Sequence, residues 1–345
     1  MQQEFQQATA GAGEGVMSPT PLQKAANGMN NAGAQIAQAA QAAQLASTKS
    51  ARDKVAAFDQ AEDKISPVRH AKDVLLRGLV YGSGVAVCVV LAAIIGYIFY
   101  RGVPGITTEL LTTQTSYVHD TIGILPNILN TLYIVLVAMV IVIPLGVCAA
   151  VYLNEYATNK RLVRIIGFAV ETLTGIPSVI FGLVGMLFFI QLLGLQAGVL
   201  AGGLTLVVMV LPTIISNTLE SLKTIPDSYR EGSLALGSGK WHMVRTVVLP
   251  NAMNGIATGC ILAVGRIVGE SAALLYTAGF GLILNSFMTA LQSSSATLTV
   301  ALYVYATERG ELNVAFSVAT ILMVLTLLLN LAANLASSKL KYKEN

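Results

Sequence analysis

Charge is what this sequence has least of. Only 11% of its 345 residues are Asp, Glu, Lys or Arg, where a soluble domain carries about 25%. Such a chain, 54% hydrophobic, reads as one that lives mostly in lipid. The net charge of +3 is too small to suggest nucleic acid as a partner. Cysteine is scarce as well. Cys88, Cys148 and Cys260 sit in apolar runs with no paired spacing, which excludes a disulfide or metal framework and predicts small core residues. His70, His119 and His242 all fall in polar segments, where solvated side chains are expected. No histidine or carboxylate cluster has metal-ligand spacing, and no Ser-His-Asp arrangement is present. Met1 is followed by polar residues, so no secretory signal is expected.

A complete nucleotide motif is missing too. Gly237-Ser238-Gly239-Lys240 imitates the end of a phosphate loop, but that loop needs a glycine five residues before Gly239 and a hydroxyl residue after the lysine. Leu234 and Trp241 occupy those places. The chain is expected to bind no ATP, magnesium or other cofactor itself.

What is present is a series of long apolar runs. Six are long enough to cross a bilayer as helices: about Leu75 to Tyr100, Ile128 to Leu153, Val163 to Leu193, Val199 to Leu219, Ala252 to Ala278 and Val314 to Ala336. The predicted fold class is an all-α integral membrane protein with six transmembrane helices. Residues 1–70 differ in kind. They are rich in Ala, Gln, Gly and Asn, and read as a disordered tail with at most a weak helix over Asn31 to Lys49. The domain division expected is 1–70 for the tail, 71–121 for the first helix and an outer loop, and 122–340 for the main transmembrane domain, with a polar loop over 220–250.

Lysine and arginine set the orientation. Arg69, Lys72 and Arg77 precede the first run, and Lys160, Arg161 and Arg164 separate the second and third. Lys223, Arg230, Lys240 and Arg245 separate the fourth and fifth, and Lys339, Lys341 and Lys343 follow the sixth. The alternate loops hold only Arg101 and Arg309. Both termini and the 220–250 loop are therefore expected in the cytoplasm. The third run is interrupted at Thr174-Gly175-Ile176-Pro177. Two readings are open: a kinked, packed helix, or a helix lining a pathway.

The 220–250 loop carries a pattern. Glu231 is followed by Gly232 and Ser233, Gly237 comes after three more residues, and Val247, Val248, Leu249 and Pro250 after a further nine. A short helix is expected from Pro226-Asp227, capped by Asp227, to a turn at Gly237, which tolerates positive φ. A second helix is expected to present Trp241, Met243 and Val244 as an apolar face. This pattern closely resembles the signature of permease subunits of binding-protein-dependent ABC importers, Glu-Ala-Ala, three residues, Gly, nine residues, Ile-x-Leu-Pro. The resemblance implies a type I importer permease fold and a bacterial inner-membrane location. It makes the loop a coupling element docked on a separate ATPase, with Glu231, Gly232, Ser233, Gly237, Trp241, Leu249 and Pro250 as its residues. ATP and magnesium would then be held by that partner. The alternative is a plain solvated linker.

In the fifth run, Arg266 and Glu270 lie four apart, on one predicted helical face within an apolar segment. Charges at such depth are costly and mark a substrate path or a mutual structural pair; both readings stand. Glu171 is placed near the inner mouth of the path, gating or merely solvated. The stretch Pro226 to Phe280, with Gly175-Ile176-Pro177-Ser178-Val179-Ile180-Phe181-Gly182-Leu183, is similar to phosphate transport system permeases over spans two to six. The start at Thr258-Gly259 and the ending Leu274 to Ala278 favour one of the two permease types of that system over its sister. The resemblance implies phosphate as substrate, a second similar permease subunit, two ATP-binding subunits, an extracytoplasmic phosphate-binding protein and surrounding lipid as partners. Chemistry agrees with it: guanidinium offers planar paired donors to a tetrahedral oxyanion, and a carboxylate can accept the proton that phosphate keeps and sulfate lacks. Importers of sulfate, molybdate or phosphonate share the loop and the fold, and remain alternatives. A stand-alone secondary transporter or channel would show inverted repeats with matching interrupted helices, which the sequence does not.

Overall fold

The computed structural model describes residues 43, 45–50, 52–54, 67–116 and 121–342. Most of the tail, including the stretch from Asn31 to Ala42, and His119 lie outside the described residues; the short described pieces at 45–50 and 52–54 are helical and exposed. The chain divides into two compact units, Met1–Cys88 and Val89–Asn345, and the architecture below is that of the second. Helix α1, Pro67–Gly102, begins in the first unit and ends in the second.

From that end the chain runs through a short helix, α2 (Thr108–Thr112), and a small antiparallel hairpin, β1 (Gln114–Ser116) and β2 (Thr121–Ile124). Helix α3 (Leu125–Val151) follows, extended by a π-helical turn over Tyr152–Tyr156. Then come α4 (Lys160–Thr174), α5 (Ser178–Gly185, continued as a π-helix over Met186–Leu192) and α6 (Val199–Lys223). The polar loop holds α7 (Asp227–Ala235) and α8 (Lys240–Met243), and α8 passes through π-helical Val244–Val248 into α9 (Leu249–Val268). Four elements complete the chain: α10 (Ala272–Thr277), α11 (Phe287–Ala290), α12 (Leu298–Tyr303, extended through Glu308) and α13 (Leu312–Tyr342).

Five helical stretches among the described residues are long and apolar enough to cross a membrane, or six if the pair α4–α5, bent by 102°, is counted as one span. The bend has a local cause. Gly175 and Ile176 close α4 with tight bonds to Thr172 O and Leu173 O. Pro177 then cannot donate, but its own carbonyl accepts from Ile180 N and opens α5. The third run is thus two helices at nearly a right angle rather than one kinked helix. The fifth run is also broken: α9 stops at Val268, and α10 restarts at Ala272. A continuous helix from 252 to 278, as periodicity suggested, is not what forms.

Small residues bring the helices together, as expected where lipid offers no hydrophobic drive between them. A Cβ on Gly182 would stand 2.7 Å from Ala273 Cα, so α5 lies directly against α10. A Cβ on Gly202 would meet Ile134 at 2.9 Å, and one on Gly203 would meet Val137 at 2.8 Å, which seats α6 on α3. Ile134, Val142, Leu206, Met209, Val210, Ile267 and Leu274 fill the resulting core. A second apolar cluster, with Leu153, Leu222, Ile225, Met243, Val244 and Val248, lies where the polar loop meets the helices. The cysteines depart from expectation. Cys88 and Cys148 are exposed and Cys260 half-buried, because outward-facing positions of a membrane helix are apolar too.

Segment 279–310, without a predicted element, contains α11 and α12. Helix α12 and its extension are apolar but too short to span, and Leu298, Val300, Ala301 and Tyr305 are buried. The non-helical backbone before it is satisfied by side chains of α3. Asn127 and Asn130 Nδ2 donate to Ala296 O at 2.9 and 3.2 Å, and Leu298 N donates to Thr131 Oγ1 at 3.0 Å. Irregular backbone buried in a membrane protein needs such partners.

Candidate functional site

The loop between α6 and α9 ends its first helix as expected. Gly237 has φ of +84°, Gly237 N donates to Leu234 O at 2.9 Å, and Ser238 N donates to Ser233 O at 3.3 Å. This is a Schellman closure, in which the left-handed glycine satisfies the last carbonyls of α7. Ser233 and Ser238 hydroxyls, 2.7 Å apart, brace the turn. Glu231 and Gly232 are exposed and Ser233 half-buried, so the signature residues present an outward ridge. Leu236, at the tip, is 91% exposed.

Two details differ from the sequence reading. Asp227 is not the cap of α7: Pro226 holds that position and Asp227 is the first helical residue. Its carboxylate turns instead to Arg230 Nη1 at 3.0 Å. Nor do Trp241, Met243 and Val244 share a face. Met243 and Val244 are 2% and 0% exposed, whereas Trp241 is 64% exposed. Two positions apart on an α-helix of 3.6 residues per turn point to nearly opposite sides, so Trp241 and Met243 could not share a stripe. Trp241 instead borders a shallow apolar groove with Val147, Cys148, Val151, Tyr152, Tyr156 and Leu249. Leu249 and Pro250, both half-buried, open α9.

Arg230, read in the sequence only as one more loop charge, is the centre of the region. Its Nε and Nη2 hold Glu155 Oε1 at 3.1 and 3.0 Å, Nη1 reaches Ile225 O at 2.8 Å and Asp227, and Nη2 reaches Leu222 O at 2.9 Å. All five donors of a guanidinium are used. Glu155 also accepts from Asn154 Nδ2 at 2.7 Å, and its side chain is 6% exposed. An acidic residue closing an apolar run, beside a basic loop, was the only sequence signal for it.

The second charged group is arranged otherwise. Arg266 lies in the last turn of α9, half-buried. Because α9 ends at Val268, Glu270 falls in the break rather than four residues along one helical face. Its Oε1 accepts Ala273 N at 3.1 Å, capping α10, and its carbonyl accepts Thr299 Oγ1 at 2.8 Å. The structural pair considered from spacing therefore does not form: among the described residues Arg266 has no ion-pair or hydrogen-bonding partner. Asn330 Oδ1 of α13, buried and without a partner among the described residues, faces Gly265 beside it, 3.9 Å from where a glycine Cβ would stand. Glu171 is exposed on α4, and no described ion pair includes it. It is not brought to Arg266 by any described contact. No group of three or more His, Cys, Asp or Glu suited to a metal occurs among the described residues.

Comparison with known proteins places this geometry. Residues 142–342 match the family of binding-protein-dependent transport system inner membrane components. The probable ABC transporter permease protein YqgI of Bacillus subtilis is 37% identical over 61% of this chain and 72% of its own. The phosphate transport system permease protein PstA 1 of Mycobacterium tuberculosis is 34% identical over 65% of this chain and 76% of its own. In fold, the chain resembles a subunit of a bacterial alginate ABC transporter crystallised with an alginate pentasaccharide-bound periplasmic protein, at TM-score 0.58, 16% identity, and coverage of 79% of this chain and 96% of that one. The matched region takes in every long helix from the second half of α3 to α13 and the whole signature loop: this chain belongs to the binding-protein-dependent ABC importer permeases, multi-pass components of the inner membrane.

Proposed function

We propose that the chain is a permease subunit of an ATP-driven importer of inorganic phosphate. The observation that carries the reading is Arg266: a guanidinium in the last turn of a broken apolar helix, with no carboxylate to neutralise it among the described residues. A half-buried, unneutralised cation favours an anion as its partner, and its paired donors suit a tetrahedral oxyanion. Relatives named as phosphate permeases support the choice of phosphate among oxyanions. Glu270, held against Ala273 N, keeps a second oxygen with which to accept a hydrogen bond from a phosphate O–H.

In this reading the subunit hydrolyses nothing. It pairs with a second, similar permease, receives phosphate from an extracytoplasmic binding protein, and is driven by two ATPase subunits that hold ATP and magnesium. These dock on α7 and the Gly237 turn. The loop charges support a cytoplasmic position for that turn and both termini. A cysteine at Ser238 should then react only from the cytoplasm, and one at Ser294 only from outside; the opposite pattern overturns the orientation. The function is tested by radiolabelled phosphate uptake at low external concentration in cells lacking the gene, with sulfate as competitor. Loss of uptake that excess sulfate does not mimic in the wild type is expected. Undiminished phosphate uptake in the deletion contradicts it.

A further inference from the structure

The two halves of the signature loop are held to the membrane helices by different means. The second half is held by apolar packing, through Met243, Val244 and Val248 in the cluster that also contains Leu153, Leu222 and Ile225. The first half, α7, has no buried residue. Beside its packing on α8 and the 244–248 turn, its polar hold on α3 and α6 converges, among the described residues, on one side chain. Arg230 bonds Glu155 in the last turn of the α3 extension, the Leu222 carbonyl in the last turn of α6, the Ile225 carbonyl in the linker, and Asp227 in α7 itself. Lys240 adds a weaker strap, with Nζ 3.4 Å from Glu155 O and 5.8 Å from the Tyr156 ring centroid. Arg230 is 15% and Glu155 6% exposed at the side chain, so the pair is largely shielded from the solvent that weakens surface ion pairs.

We propose that Arg230 and Glu155 are positioning residues that make α7 move as one body with α3 and α6, so that a displacement imposed on α7 is passed to the helices of the pathway. The link rests on the reading of α7 as the docking site of an ATPase. Geometry explains the choice of arginine. A lysine in its place keeps the charge but has only three donors and no planar fork, so it cannot hold Glu155, Leu222 and Ile225 together. A helix freed of this anchor can still bind its partner through its exposed ridge, but slips against α3 when pushed.

The experiment uses the whole transporter, with both permeases, the ATPase subunits and the binding protein, reconstituted in lipid vesicles. Phosphate uptake and ATP hydrolysis are measured in the same vesicles for wild type, Arg230→Lys and Glu155→Gln. Phosphate moved per ATP should fall about tenfold in each variant, the size of an ordinary coupling term between two sites, while hydrolysis per assembled complex stays near wild type. A purely structural role would lower both activities together in proportion to the complex assembled. That result, an unchanged ratio, or failure of Arg230→Lys to assemble overturns the proposal. A second readout is independent of substrate. With Cys88, Cys148 and Cys260 replaced by serine, spin labels at Ser228 and Leu136 report the separation of α7 from α3. It should stay constant through the nucleotide cycle in the wild type and vary in the variants. A separation that varies in the wild type contradicts the link. Wild-type vesicles that hydrolyse ATP without moving phosphate contradict the substrate reading instead, leaving the label distances to decide the link.

Discussion

Arg230 and Arg266 stand at opposite ends of one scale. Arg230 spends every donor on neighbours, with a carboxylate and two main-chain carbonyls converging on it. Arg266, in a helix of the same bundle, has no such partner among the described residues. A saturated guanidinium in a shielded site ties neighbouring elements together, and deleting its charge also costs stability. An unsaturated one adds little to the fold, because nothing described depends on it, and its charge remains available to a ligand. In the proposed reading, this difference separates the residues assigned to carry force from the residue assigned to the anion.

The comparison predicts a graded set of outcomes. The largest stability effect belongs to Arg230→Gln, which strands Glu155 as a buried charge. About 3–5 kcal/mol should be lost, read as a lower thermal midpoint of the purified subunit pair, and Glu155→Gln together with it should recover part of that loss. Next comes Gly182→Val. Its β-carbon would stand 2.7 Å from Ala273 Cα, forcing α5 from α10 at about 1–3 kcal/mol, with transport falling because the two broken helices part. Gly237→Val meets nothing within 4 Å, so its cost is conformational, about 1–2 kcal/mol for a left-handed residue. It should weaken co-purification with the ATPase while leaving the bundle's melting temperature nearly unchanged. The smallest effect is expected from Glu270→Gln. The amide oxygen can still accept from Ala273 N, so stability should change by no more than about 1 kcal/mol, and a large loss of folded protein would show that Glu270 holds more than the α10 cap.

How much of this was legible in the sequence follows from the range of the forces involved. Hydropathy located the long helices, since a run such as Leu125–Val151 declares itself by length alone. The Gly237 turn was legible because its cause, a left-handed residue at a helix end, is local. The break after Val268 was not. Gly265 to Ser271 carries no proline, and the helix yields there because Glu270 and Thr299 give the freed backbone partners 29 residues apart in the chain. The pairing of Arg230 with Glu155 spans 75 residues, and nothing in either local sequence names the other. Helix α12 escaped because it is too short to read as a span and is buried by contacts with α3 and α13 rather than by its own pattern. For the same reason the fourfold spacing of Arg266 and Glu270 misled: it assumes a continuous helix.

The measurement that bears most directly on the account is phosphate uptake by Arg266→Gln, and by that variant with Glu270→Gln, each normalised to the amount of assembled transporter in the membrane. Glutamine keeps most of the volume and removes the charge. With Arg266 unpaired among the described residues, the single variant should assemble to wild-type levels and lose uptake by about a hundredfold or more, the scale of a lost charged contact of roughly 3 kcal/mol. The double variant should assemble as well and remain inactive. Uptake restored in the double variant would mean that the two charges merely balance each other, and would contradict the assignment of Arg266 to the anion.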